Sequence, residues 1–169
     1  MLPSIKNILY ATDLSKNSAF SFRYAVKLAR EMDAKVTLLN ILPMIDSAME
    51  VAIITQMGEG EYYKLRKEKT IETIEKIKER IRDFSEKQLN DVECNKDIIS
   101  SILVHEGDAV DEILKTAEQL DSDIIILGAH GKGILTHTFL GTVPQKVLRR
   151  SRRPVLVVPI PKDATDIDL

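Results

Sequence analysis

Residues Asp123–Thr142 read D-I-I-I-L-G-A-H-G-K-G-I-L-T-H-T-F-L-G-T. The apolar start, Ile124–Leu127, is long enough for a buried strand and too short for a helix. It breaks into a loop at Gly128, with further glycines at Gly131 and Gly133, and the loop ends at Gly141-Thr142 before a helix-like stretch, Val143–Arg150. Strand, glycine-rich loop and helix start together make a place for an anion. Glycines let backbone N–H groups come close, and the first helical turn adds unpaired donors and a positive dipole end. Thr142 either caps that helix or gives its hydroxyl to a phosphate oxygen.

Two common phosphate motifs do not fit. A P-loop needs Lys-Ser/Thr after the last glycine of its G-x4-G spacing, whereas Gly128 and Gly133 are followed by Ile134-Leu135. The dinucleotide fingerprint needs G-x-G-x-x-G after an early strand, and here the order is G-x-x-G-x-G after a late one. What remains is Gly128, two residues, Gly131, nine residues, then Gly141-Thr142.

Outward from this stretch, strands and helices alternate. Ile5–Ala11 reads as a strand, followed by the turn cluster Thr12-Asp13-Leu14-Ser15. A helix is predicted over Lys16–Met32, with Ala19, Phe22, Val26 and Ala29 on one face. Val36–Leu42 is the second strand, stopped by Pro43. Residues 43–60 are read as a flexible, unusually apolar connection whose side chains fold back over the core. The alternative is a mobile lid or partner surface. Glu61–Leu89 is the longest predicted helix, with Ile71, Ile74, Ile77, Ile81 and Phe84 as its apolar stripe and a charged, solvated remainder. Ile98–Val104 is the third strand. Asp108 caps a helix whose inner face is Val110, Ile113, Ala117 and Leu120. Asp123–Leu127 is the fourth strand and Pro154–Pro159 the fifth. Proline at both ends of the fifth places it at a sheet edge. Residues 161–169 form an acidic tail. Strands that are continuous apolar runs imply a parallel sheet covered on both faces. In such sheets ligands lie beyond the carboxyl ends of the strands where the order reverses. If strands one and four are neighbours, Asp13 and the glycine loop share one crevice.

At 169 residues the chain is read as one domain. A net charge of −2 gives no general attraction to nucleic acid or membrane. The single cysteine, Cys94, excludes an internal disulfide and fits a reducing cytoplasm. Met1–Lys6 lacks a signal-peptide pattern. His130 and His137 lack a third metal ligand at suitable spacing and read as loop or phosphate-contact residues. Lys132 reads as a solvent lysine, with phosphate neutralisation as the alternative. Arg149, Arg150, Arg152 and Arg153 read as a favourable cluster at a helix C-terminus in preference to a nucleic-acid patch. No Ser-His-Asp order, C-x-x-C, H-E-x-x-H or Walker lysine is present, and no residue stands out as a general base.

The G-x2-G-x9-G-[S/T] spacing resembles the ATP-binding branch of the universal stress protein family. So do the N-terminal I-L-Y-A-T-D-L-S, the strand ending Leu39-Asn40-Ile41, the turn Val104-His105-Glu106-Gly107 and the C-terminal R-R-P-V-L-V-V-P, over roughly residues 3–160. The resemblance implies a three-layer, doubly wound, Rossmann-like α/β fold, its open parallel five-stranded sheet in the order 3-2-1-4-5. It implies that Asp13 and Ile41 hold the adenine and its surroundings. Gly128, Gly131, Gly141, Thr142 and Val143 would hold ribose and phosphates. Ala11 and Thr12 before Asp13, and His130 within the loop, complete the expected nucleotide site. Ala129 stands where the family often has a hydroxyl, so one polar contact is missing. The implied ligand is ATP, ADP or AMP, with Mg²⁺ held mainly by phosphates and water. The implied assembly is a homodimer through 154–159. The function expected is that of a cytoplasmic ATP-binding stress-response regulator, with no nucleic-acid or membrane partner. A nucleotide-independent interaction module with an unknown protein partner is the alternative, and a slow ATP hydrolase the third reading.

Overall fold

In a computed structural model the described residues are 4–90, 98–129 and 140–159. Cys94, the loop residues His130, Gly131, Lys132, Gly133 and His137, and the acidic tail lie outside them. The elements are β1 (Asn7–Ala11), α1 (Lys16–Met32), β2 (Lys35–Leu42), α2 (Ser47–Met57), α3 (Glu59–Asn90), β3 (Ile99–Glu106), α4 (Ala109–Gln119), β4 (Ile124–Gly128), α5 (Thr142–Arg150) and β5 (Val155–Val158).

The five strands form one parallel sheet in the order β3-β2-β1-β4-β5. Alternation along β1 separates two cores. Ile8 and Tyr10 point to the face covered by Phe22, Ala25, Val26 and Ala29 of α1. Leu9 and Ala11 point to the face covered by Val110, Ile113 and Ala117 of α4 and Val147 of α5. Both faces of the central strands are therefore buried, which is why they read as unbroken apolar runs. The predicted inner faces hold with exceptions. Leu120 ends α4 as its C-cap and is exposed, and Ile71 of α3 is 54% exposed. On α3 the packing against the core comes from Ile77. The side chains of Ala19, Ile81 and Phe84 lie outside the described set.

The connection after β2 departs from expectation. Residues 43–60 do not form a loop folded back over the core, because Ser47–Met57 is a helix, α2, with no buried residue. Its ends carry ordinary helix signals. Asp46 accepts the N–H groups of Ala48 and Met49 at 2.9 and 3.3 Å, and Gly58, at φ 86°, closes the other end.

Asp123 ties the start of β1 to β4. Its Oδ2 accepts the backbone N–H groups of Lys6 at 2.7 Å and Asn7 at 2.8 Å. Those two bonds hold its carboxyl below the usual carboxylate range. A carboxyl with a lowered folded pKa contributes stability above its unfolded pKa of about 3.9 and loses it as pH falls through the folded value. Asp123→Ala is therefore expected to cost about 1–2 kcal/mol in urea unfolding at pH 7 and progressively less as the carboxyl of the parent is titrated with acid. An equal cost at pH 7 and in acid would contradict the assignment.

Candidate functional site

The strand order reverses between β1 and β4, and the carboxyl ends of those two strands are where a crevice opens. Its volume is about 300 Å³. Among the predicted residues, Ala11, Thr12, Asp13, Ile41, Gly128, Gly141, Thr142 and Val143 all line it. His130 and Gly131 fall outside the described residues. Asp13 and the two ends of the glycine loop thus share one cavity.

Each wall has a local cause. Beyond Ala11 the chain turns sharply. The Thr12 hydroxyl accepts the N–H of Leu14 at 3.1 Å, and Asp13 Oδ1 accepts that of Ser15 at 3.0 Å. Leu14 takes a left-handed conformation, φ 57°, which a bulky residue adopts at a cost of about 1–2 kcal/mol. Its packing against the core offsets that cost. The turn is pinned to β2, since the N–H of Thr12 donates to Leu39 O at 2.9 Å and Asn40 Nδ2 donates to Thr12 O at 2.8 Å. Below it, the buried Tyr10 hydroxyl donates to Ser18 O at 2.5 Å and lies 3.2 Å from Ser21 Oγ. Burial pushes the Tyr10 phenol up to about 12. It is a fixed donor under the first turn of α1, and Ser18 of that turn also faces the crevice.

On the other side, the loop leaves and returns at a single point. Ala129 N–H donates to Val158 O at 2.9 Å, and Gly141 N–H donates to Ala129 O at 2.8 Å. Gly141, which has no side chain to cap with, is the N-cap of α5, so Thr142 is its first residue and not its cap. Pro144 in the first turn has no N–H to offer. The N–H groups of Thr142 and Val143 have no intrahelical partner at this positive helix end, and both residues line the cavity. Ala129 has its methyl group buried and its carbonyl engaged.

The remaining lining is apolar. Ile41 at the end of β2, Ala109 and Ile113 of α4 and Leu127 of β4 supply it. An apolar cavity beside the start of a helix, where the Thr142 and Val143 N–H groups have no intrahelical partner, suits a heteroaromatic group joined to an anion. The sequence reading missed Ser18, Ala109, Ile113 and Pro144. Ile113 belongs both to the core and to the cavity wall. The arginine cluster makes ion pairs of its own: Arg150 with Asp111 and Arg153 with Asp121, both at 2.7 Å. No described helix is long and apolar enough to cross a membrane.

Comparison with known proteins agrees with this architecture. The family model described as Universal stress protein family matches residues 4–159. Universal stress protein MJ0577 of Methanocaldococcus jannaschii is 34% identical over 158 residues, covering 90% of this chain and 94% of its own. Universal stress protein YxiE of Bacillus subtilis is 27% identical, covering 89% of this chain and 97% of its own. Among solved structures, that of MJ0577 superposes with a TM-score of 0.64 at 28% identity, covering 95% of this chain and all of that one. A universal stress protein solved in complex with cAMP gives a TM-score of 0.57 at 20% identity, covering 93% of this chain and 98% of its own, a likeness of fold alone.

Proposed function

The chain belongs to the universal stress protein family, and we propose that it is an adenine nucleotide-binding regulatory member of it. The observation that carries this reading is the convergence of Asp13, Ile41, Gly128 and the Gly141–Val143 helix start on one cavity. The base lies in the slot between Ile41 and Ile113. Asp13 accepts a hydrogen bond from the ribose or the adenine amino group. The phosphates meet the N–H groups of Thr142 and Val143, the Thr142 hydroxyl and the positive end of α5. ATP is the ligand we favour, with Mg²⁺ held mainly by phosphates and water. That a protein of this fold was solved in complex with cAMP supports an adenine nucleotide as the class of ligand.

The protein then acts by binding and not by turnover, its nucleotide state altering the surfaces it presents. β5 pairs with β4 on one side and forms one edge of the sheet. We place a homodimer at that edge, because pairing with a second copy satisfies backbone groups otherwise left to water.

The test is the nucleotide content of freshly purified protein, followed by thermal melting with and without Mg-ATP. Ligand at about 100 times its dissociation constant stabilises the fold by about 2.7 kcal/mol. For a chain of this size that raises Tm by roughly 5–10 °C. Asp13→Ala is expected to remove most of the shift. No bound nucleotide and no shift with ATP, ADP or AMP would refute the reading.

A further inference from the structure

We propose that α2 and the turn before it form a docking surface for a basic amphipathic helix of a partner protein. Most helices bury one stripe, and a helix apolar on all sides is ordinarily buried altogether. α2 is neither: its sequence S-A-M-E-V-A-I-I-T-Q-M has no polar face, and none of its residues is buried. Met49 is 62% exposed and Val51 63%, beside the exposed Met44 and Ile45. Met49 and Val51 bound the outer side of α2, with the small or uncharged Ala48, Ala52, Thr55 and Gln56 exposed between them.

The opposite side of α2 is anchored, so the exposed face is presented and not merely loose. Glu50 accepts Arg66 Nη1 of α3 at 2.7 Å and the Tyr62 hydroxyl at 3.1 Å, and Arg66 Nη2 reaches Glu106 at the end of β3 at 2.8 Å. Tyr62 is itself buried. One arginine shared by two carboxylates fixes α2 against α3 and the rim of the sheet.

Charge selects the occupant. Between Lys35 and Lys64 the chain has no Lys, Arg or His, while Asp46 stands at one end of α2 and Glu59 and Glu61 at the other. Carboxylates therefore stand at both ends of α2, and Arg66, the cation packed on it, is already shared between Glu50 and Glu106. A partner of matching chemistry carries an apolar stripe flanked by Lys or Arg. It is a helix because α2 uses its backbone groups internally and offers side chains alone. Methionines at 44 and 49 let the face adapt to stripes of differing shape. This surface lies outside the crevice, so its test stands apart from the nucleotide reading.

The probe is a fluorescent Leu/Lys amphipathic peptide of about 15 residues, long enough to form a helix, titrated with the full chain alongside a Leu/Glu counterpart. The Leu/Lys peptide is expected to bind at least about 10-fold more tightly than its acidic counterpart, and less tightly as salt rises. Met49→Gln with Val51→Thr, which changes no charge and no buried residue, is expected to weaken that binding about 10-fold. Glu59→Gln with Glu61→Gln is expected to flatten the salt dependence. Equal binding of both peptides, or parent-like binding by the Met49/Val51 variant, would overturn the proposal. So would sedimentation showing that the same variant halves the assembly mass, which would give the face to a second copy.

Discussion

Gly141→Val is expected to lower the affinity for ATP about 100-fold, equivalent to about 2.7 kcal/mol, while the protein stays folded. A Cβ on Gly141 would stand 3.1 Å from the carbonyl oxygen of Ala129 and 3.5 Å from the Pro144 ring. The first of these neighbours is backbone and cannot rotate aside, and valine adds two further methyl groups. Relief requires Ala129 and Gly141 to part, which stretches the 2.8 Å hydrogen bond between them and shifts the first turn of α5. Thr142 and Val143 move with that turn, so their N–H groups no longer converge on the crevice. Gly141→Ala, with one methyl, should show a smaller loss. Titration calorimetry with ATP and circular dichroism on the same samples separate lost binding from lost fold. Parent-like affinity in the valine variant would mean that phosphate is not held at this helix start.

Asn40→Leu is expected to lower stability by about 2–3 kcal/mol, or roughly 5–10 °C in Tm, and to weaken ATP binding as well. Asn40 is 5% exposed, and its amide donates to Thr12 O. Leucine keeps its branched shape and heavy-atom count, with bulkier methyl ends, and removes the donor, so a buried carbonyl is left without that bond. The effect reaches the site because Thr12 O belongs to the turn that aims Asp13. Loss of Tm with unchanged ATP affinity would show that the Thr12–Asp13 turn keeps its shape without Asn40 or that Asp13 does not touch the ligand.

Much of this architecture can be read from residue patterns because its signals are local. Val110, Ile113 and Ala117 repeat at helical spacing and are buried together. Asp108 caps α4 through Val110 and Asp111 N–H groups at 2.9 and 3.0 Å, as its position before an apolar repeat implies. The prolines around Val155–Val158 mark an edge strand because a ring nitrogen cannot join a ladder, and β5 is an edge. α2 escaped for the opposite reason. Periodicity detects a helix by the contrast between its faces, and Ser47–Met57 has none. Only its punctuation was legible: Asp46 at the start and Gly58 at the end, both of which the structure uses.

The site divides in the same way. Asp13, Gly128 and Gly141 carry chemical signatures in a linear chain, and the topology brings them together. Ala109 and Ile113 carry none. They become part of a binding slot only because α4 crosses the sheet beside Ile41, which depends on β2 and β4 flanking β1. The pairing of Glu50 and Glu106 through Arg66 joins residues from three elements and has no sequence signature.

The most direct test of the central claim is a titration of isotopically labelled protein with Mg-ATP, followed residue by residue through its backbone amide resonances. Saturable shifts concentrated at Ala11–Asp13, Ile41, Gly128 and Gly141–Val143, absent in Gly141→Val, are the predicted result. Unchanged spectra at millimolar ATP, or shifts confined to other parts of the surface, would contradict the assignment of this crevice to an adenine nucleotide.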